Sequence, residues 1–224
     1  MSDDAGRNGR PAHGRLCADR SASPLPEIPP QQRHTASEYY EKEVDRKQIT
    51  LIIGFDACDA KNENDKWALR AAAGLLNGTG GLSGWLPVEL RSKRDLVYVV
   101  WAGANSQQYG GHFSITTQCE PDDADTVKAI IIGQIERLRT GDFDEKDLTN
   151  ITESIAEQFI MARQAQSSLV NAACLDELYG FGFNYSDMFP EKIRAVTKSD
   201  VVRVANEYLK NPTTIVLRPK GPAE

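Results

Sequence analysis

The hydrophobic period changes in mid-chain, and that change limits the folds open to this sequence. Between His112 and Cys119 (HFSITTQC) apolar and polar residues alternate, with Phe113, Ile115, Thr117 and Cys119 on one face, as in a half-buried strand. From Pro121 the spacing becomes helical. Val127, Ile130, Ile131, Ile135 and Leu138 form one stripe, Pro121 suits a first turn, and Asp122 and Asp123 suit its positive end. A second stripe, Leu148, Ile151, Ile155, Phe159 and Ala162, predicts a helix from about Asp144 to Gln164.

Before the change, strands are predicted at Ile49–Phe55 and Leu96–Gly103, with a helix over Asn64–Leu76 between them. The run Asn77–Gly84 breaks that helix, and Trp85–Arg91 adds one or two helical turns. Asn105–Gly111 joins the strands as a hairpin with a longer loop. After the change come helices at Leu169–Leu178 and Tyr185–Ala195. A capping pattern at Thr197 and Asp200 precedes a last helix, and Thr213–Leu217 closes as a strand. The order β-α-β-β-α-α-α-α-α-β predicts an α+β fold: an antiparallel-rich mixed sheet covered on one face by a helical layer.

The first 37 residues read differently. They hold five of the 11 prolines, five arginines against four acidic residues, and no periodic stripe. Residues 1–37 are therefore expected to be a disordered or extended lead-in, and 38–224 the folded domain. The lead-in lacks the apolar core of a secretory signal, which leaves the compartment open and tilts the expectation to the cytoplasm. The 224 residues (24.8 kDa) suffice for one core. No apolar run reaches the ~20 residues of a bilayer span. A net charge of −6 argues against nucleic acid as partner. Cys17, Cys58, Cys119 and Cys174 are too scattered for a zinc ribbon or a C-x-x-C redox pair, and fit a reducing compartment. His13, His34 and His112 cannot form H-E-x-x-H or H-x-x-E-H. No metal site is expected within this chain.

Several stretches, in this order, resemble the insulinase-like (pitrilysin, mitochondrial processing peptidase) metallopeptidase family, and within it the C-terminal, non-zinc domain. They are QITLIIGF (48–55), DKWALRAAAGLLNGTGGLSGWLPVELRSKRDLVYVV (65–100), GGHFSITTQCEPDDADTVKAIIIGQIERLRTGDFDEKDLTNI (110–151), LYGFGFNY (178–185), IRAVTKSDVVRVANEYL (193–209) and TTIVLRPKG (213–221). The resemblance implies a clamshell of paired homologous domains, one of which carries H-x-x-E-H on its first helix. The equivalent helix here, KWALRAAAGLL (66–76), has neither histidine nor glutamate, so zinc ligands and general base are missing and the chain is expected to be inactive alone. Zinc is then the cofactor of a partner domain, in another chain or in an N-terminal portion of a longer gene product.

The resemblance also implies an arginine and a tyrosine, seven residues apart, that grip the scissile carbonyl and its oxyanion. Arg91 and Tyr98 keep that spacing. Both residue types suit such a grip, since arginine brings a permanent charge and a fork of donors, and tyrosine a neutral O–H. Asp95 stands where the family commonly has glycine, and Val97 where glycine or alanine is common. On residue pattern alone Arg91, Lys93 and Arg94 are a solvated basic patch and Tyr98 a half-buried packing residue. By the same resemblance Gly80 and Gly81 are candidate substrate-binding positions. The bland alternative is a flexible helix-to-helix connection.

The expected function is thus the substrate-holding, non-catalytic half of a zinc metalloendopeptidase acting on an unfolded peptide, with a homologous zinc-bearing domain as partner. The alternatives are a protease-inactive scaffold like the core subunits of a respiratory complex, and an orphan fragment.

Overall fold

The computed structural model describes Pro29, residues 31–80 and residues 83–220. Five strands, β1 (Glu38–Val44), β2 (Ile49–Ala57), β3 (Val97–Gln107), β4 (Gly110–Cys119) and β5 (Thr213–Pro219), form one sheet in the order β1-β5-β2-β4-β3. Only β1 and β5 run parallel; β5–β2, β2–β4 and β4–β3 are antiparallel. The six α-helices among the described residues are α1 (Asp65–Asn77), α2 (Ala124–Thr140), α3 (Glu145–Ala162), α4 (Gln166–Leu178), α5 (Phe189–Arg194) and α6 (Lys198–Tyr208).

Alternation along the strands sets the layers. On β2, Ile49, Leu51, Ile53 and Phe55 are buried while Thr50, Ile52, Gly54 and Asp56 are only partly covered. On β4 the buried set is Phe113, Ile115, Thr117 and Cys119, the face that the sequence predicts. The core lies between this face and α1, α2 and α6. The α2 stripe buries Val127, Ile131, Ile135 and Leu138. Helix α1 is alanine-rich, and its Ala68, Ala71 and Ala72 are fully buried, which lets its backbone lie close to the sheet. Each buried Leu or Ile contributes about 1.5–3 kcal/mol relative to exposure.

Three details differ from expectation. β1 (EYYEKEV) is a strand the pattern does not predict, because all its residues but Val44 are exposed and it is held by pairing with β5 rather than by burial. The β3–β4 loop is short: the strands extend to Gln107 and from Gly110, leaving Gln108 and Tyr109 as the turn. The stretch Tyr185–Ala195 divides into a 3₁₀ turn (Tyr185–Met188) and α5. The capping box at the start of α6 is present, with Thr197 Oγ1 accepting from the Asp200 N–H and the Asp200 carboxylate accepting from the Thr197 N–H. No described helix is long and apolar enough to cross a membrane.

Candidate functional site

The stretch from Pro87 to Val100 positions Arg91 and Tyr98. Pro87–Ser92 form a π-helical turn, in which the Lys93 N–H reaches the Val88 carbonyl at 3.0 Å. The wider turn ends on Asp95, whose φ of 53° is left-handed. The Asp95 N–H closes on the Arg91 carbonyl at 2.9 Å and the Leu96 N–H on the Leu90 carbonyl at 2.8 Å. Asp95 thus does the conformational work of the glycine common at this position, since aspartate tolerates left-handed backbone better than most residues.

β3 then bulges. Val97 faces Cys119 and Val100 faces Thr117, so Tyr98 and Val99 together stand against Gln118. Both project outward, Tyr98 being 81% exposed, while Val97 and Val100 turn into the core. The bulge is fastened from inside by buried Thr117, whose Oγ1 donates to the Val99 carbonyl at 2.7 Å.

These two irregularities bring Arg91 and Tyr98 together, with the guanidinium 5.2 Å from the Tyr98 ring centroid. The neighbouring cations are otherwise engaged. Lys93 and Arg94 both pair with Glu89, and these two bonds hold its carboxyl below the usual range. Arg91 has no carboxylate partner among the described residues. The basic patch read from the sequence therefore resolves into two cations that share the Glu89 carboxylate and one arginine set beside a phenol. Chemically, that pair offers two donor types to one exposed acceptor, such as a peptide carbonyl.

The described ends of the glycine run are anchored. Asn77 is buried, and its Oδ1 accepts the Ala102 N–H of β3 at 3.2 Å. At the far end the Gly84 backbone abuts the turn: a Cβ there would lie 2.2 Å from the Asn77 carbonyl carbon and 2.3 Å from the Gly78 nitrogen. The loop is pinched at its base, so Gly78 and Gly84 are required by packing. Gly80 has left-handed φ and open space where a Cβ would be, and it lines a groove beside β3. Gly81 lies outside the described residues.

Helix α1 carries Lys66 and Arg70 but no histidine or glutamate, and among the described residues no three His, Cys, Asp or Glu side chains cluster. The exposed Arg70 and Trp101, which flank the same groove, were not singled out by sequence reasoning. An arginine amid the alanine- and leucine-rich middle of α1 and a tryptophan on an outward strand position are the available signals.

The profile of the family described as "Peptidase M16 inactive domain" matches residues 9–155. The chain belongs to that family. It is 23% identical over 175 residues to the mitochondrial-processing peptidase subunit alpha of Caenorhabditis elegans, covering 74% of this chain and 34% of that protein. It is 26% identical over 177 residues to the uncharacterized zinc protease SCO5738 of Streptomyces coelicolor, covering 77% and 37%. Among solved structures it superimposes on a protease from Helicobacter pylori with a TM-score of 0.80 at 24% identity, covering 90% of this chain and 48% of that one. The last likeness establishes the α+β fold. The M16 inactive domain described here spans little more than a third of the length of these two curated relatives.

Proposed function

We propose that this M16 inactive domain holds an unfolded peptide substrate for a zinc-bearing partner domain of the same family. The observation that carries this reading is the contact of Arg91 with Tyr98 on an exposed surface, next to a first helix that offers no zinc ligand. In this reading Arg91 and Tyr98 bind the carbonyl of the bond to be cut. Their donors strengthen as charge develops on its oxygen, and such pre-aimed donors are worth roughly 2.7–4 kcal/mol each in comparable sites. Zinc and its general base belong to the partner.

Unpartnered apolar surface supports a larger assembly. Helix α4 has no charged residue before Asp176, and its Val170, Leu175 and Leu178 are exposed, as are Ile160 and Met161 at the end of α3. This face supports pairing in general. It favours equally the second reading, a scaffold subunit without a role in turnover.

The experiment is kinetic. Arg91→Ala and Tyr98→Phe are introduced into the complex with the zinc-bearing domain, and hydrolysis of an unstructured peptide is followed. Each variant is expected to lower kcat about 10²-fold or more with a smaller change in KM. Unchanged turnover in both variants removes the assignment and leaves the scaffold reading.

A further inference from the structure

Beside β3 runs a groove of about 420 Å³, enough for one or two side chains. Its small residues Gly103 and Ala104 leave room, and Trp101 and Phe159 supply aromatic surface. Arg70 brings the charge. Arg33, Arg94, Arg139, Arg163, Arg194, Arg203 and Arg218 each sit on a carboxylate. Arg70 has none among the described residues. Its guanidinium carbon lies 4.7 Å from the centroid of the Phe189 ring, which leaves N–H groups for an acceptor. In a chain of net charge −6, an uncompensated arginine in a groove attracts anions against the overall field.

The adjacent strand suits an extended occupant. β3 is an edge strand whose residues 97–107 (VYVVWAGANSQ) include no charged side chain. The opposite edge, β1, is guarded by Glu38, Glu41, Lys42 and Glu43. Charged edges block strand addition and uncharged ones permit it. A segment lying along β3 presents alternate side chains to one side, so residues two apart can both enter the groove.

We propose that this groove binds an extended peptide through a carboxylate side chain on Arg70 and an aromatic side chain on Trp101 and Phe159. The inference rests on the substrate-holding reading for the identity of the occupant, but its test needs no partner domain. Two short Gly/Ser peptides are compared, each with one Phe and, two positions on, either Glu or Gln. Binding to the full chain is read from Trp101, which is 58% exposed, whereas Trp67 and Trp85 pack against the core.

The Glu peptide is expected to bind about fivefold tighter than the Gln peptide at low salt, with the difference shrinking as salt rises. Arg70→Gln is expected to erase the difference and Arg70→Lys to keep part of it. Trp101→Phe should abolish the optical signal and weaken both peptides by calorimetry. Equal affinity of the two peptides, a preference that survives Arg70→Gln, or no saturable binding of either overturns the proposal. Those outcomes leave the Arg91 and Tyr98 kinetics untouched, so the two readings fail separately.

Discussion

Asp65 opens α1 from inside the protein. Arg203 Nη1 lies 2.7 Å from one carboxylate oxygen, and the other accepts from the Tyr208 hydroxyl at 2.6 Å and from Asn62 Nδ2 at 2.8 Å. Burial pushes the Asp65 carboxyl up, but these three donors outweigh it and hold it below the usual carboxylate range. The Tyr208 hydroxyl is pushed well up, first by burial and then by its bond to Asp65. A depressed native value contributes stability above the unfolded value of about 3.9, which is lost as pH falls through the native one. Asp65→Asn is expected to cost about 1–3 kcal/mol near neutral pH, moderated because Arg203 is partly solvated. In urea unfolding the gap between the two proteins should narrow from pH 7 to pH 3; a gap that widens on acidification would count against this account. Nothing in the sequence announces this cluster, since its two main partners lie far along the chain in α6.

At the scale of elements, the turn and bulge around Arg91 were partly legible. The spacing of Arg91 and Tyr98 was readable through the family resemblance, and so was the departure at Asp95. The bulge was not, because Tyr98 points outward with or without it. What the bulge changes is the phase after Val99, so that Val100 and Ala102 turn inward. Asp95→Gly should relieve the left-handed backbone at φ 53° and stabilise the chain by up to ~1 kcal/mol. Asp95→Val should destabilise it by about 1–2 kcal/mol, because a β-branched residue resists that conformation. Thermal unfolding of both variants checks the order, and a valine variant as stable as the glycine one would contradict it. β1 escaped sequence reasoning for a related reason. Exposed on both faces, it carries no apolar alternation, and its strand state comes from the β5 backbone.

Across the whole molecule, residues 31–34, ahead of β1, reach distant elements. Gln31 clasps Gly111, accepting its N–H at 2.7 Å and donating to its carbonyl at 3.1 Å. Arg33 pairs with Glu207 at 3.0 Å and lies over the Tyr208 ring. His34 meets Asp56 through its backbone N–H at 2.6 Å and its Nδ1 at 2.9 Å. The bond to Asp56, then its charge, raises the His34 imidazole above its ordinary value. A raised native value means the contact contributes fully below about pH 6.5 and is lost as pH rises through that native value. In an NMR titration His34 should titrate above a free imidazole, the Gly111 amide should report the same midpoint, and Asp56→Asn should return it to the ordinary range. A normal His34 midpoint in the unaltered chain would refute the pairing. The alternation of β2 and β4, the helical stripes of α2 and α3, the α6 cap and the lack of a histidine zinc motif can all be read from the amino-acid sequence, because each is written in local spacing and residue type. It took the folded arrangement to show that Arg91 rests on Tyr98 while Glu89 takes Lys93 and Arg94, that Asn77 secures β3, and that Arg70 has no carboxylate among the described residues beside an uncharged edge. Those relations depend on which distant segments the sheet order brings together, and no local period encodes that.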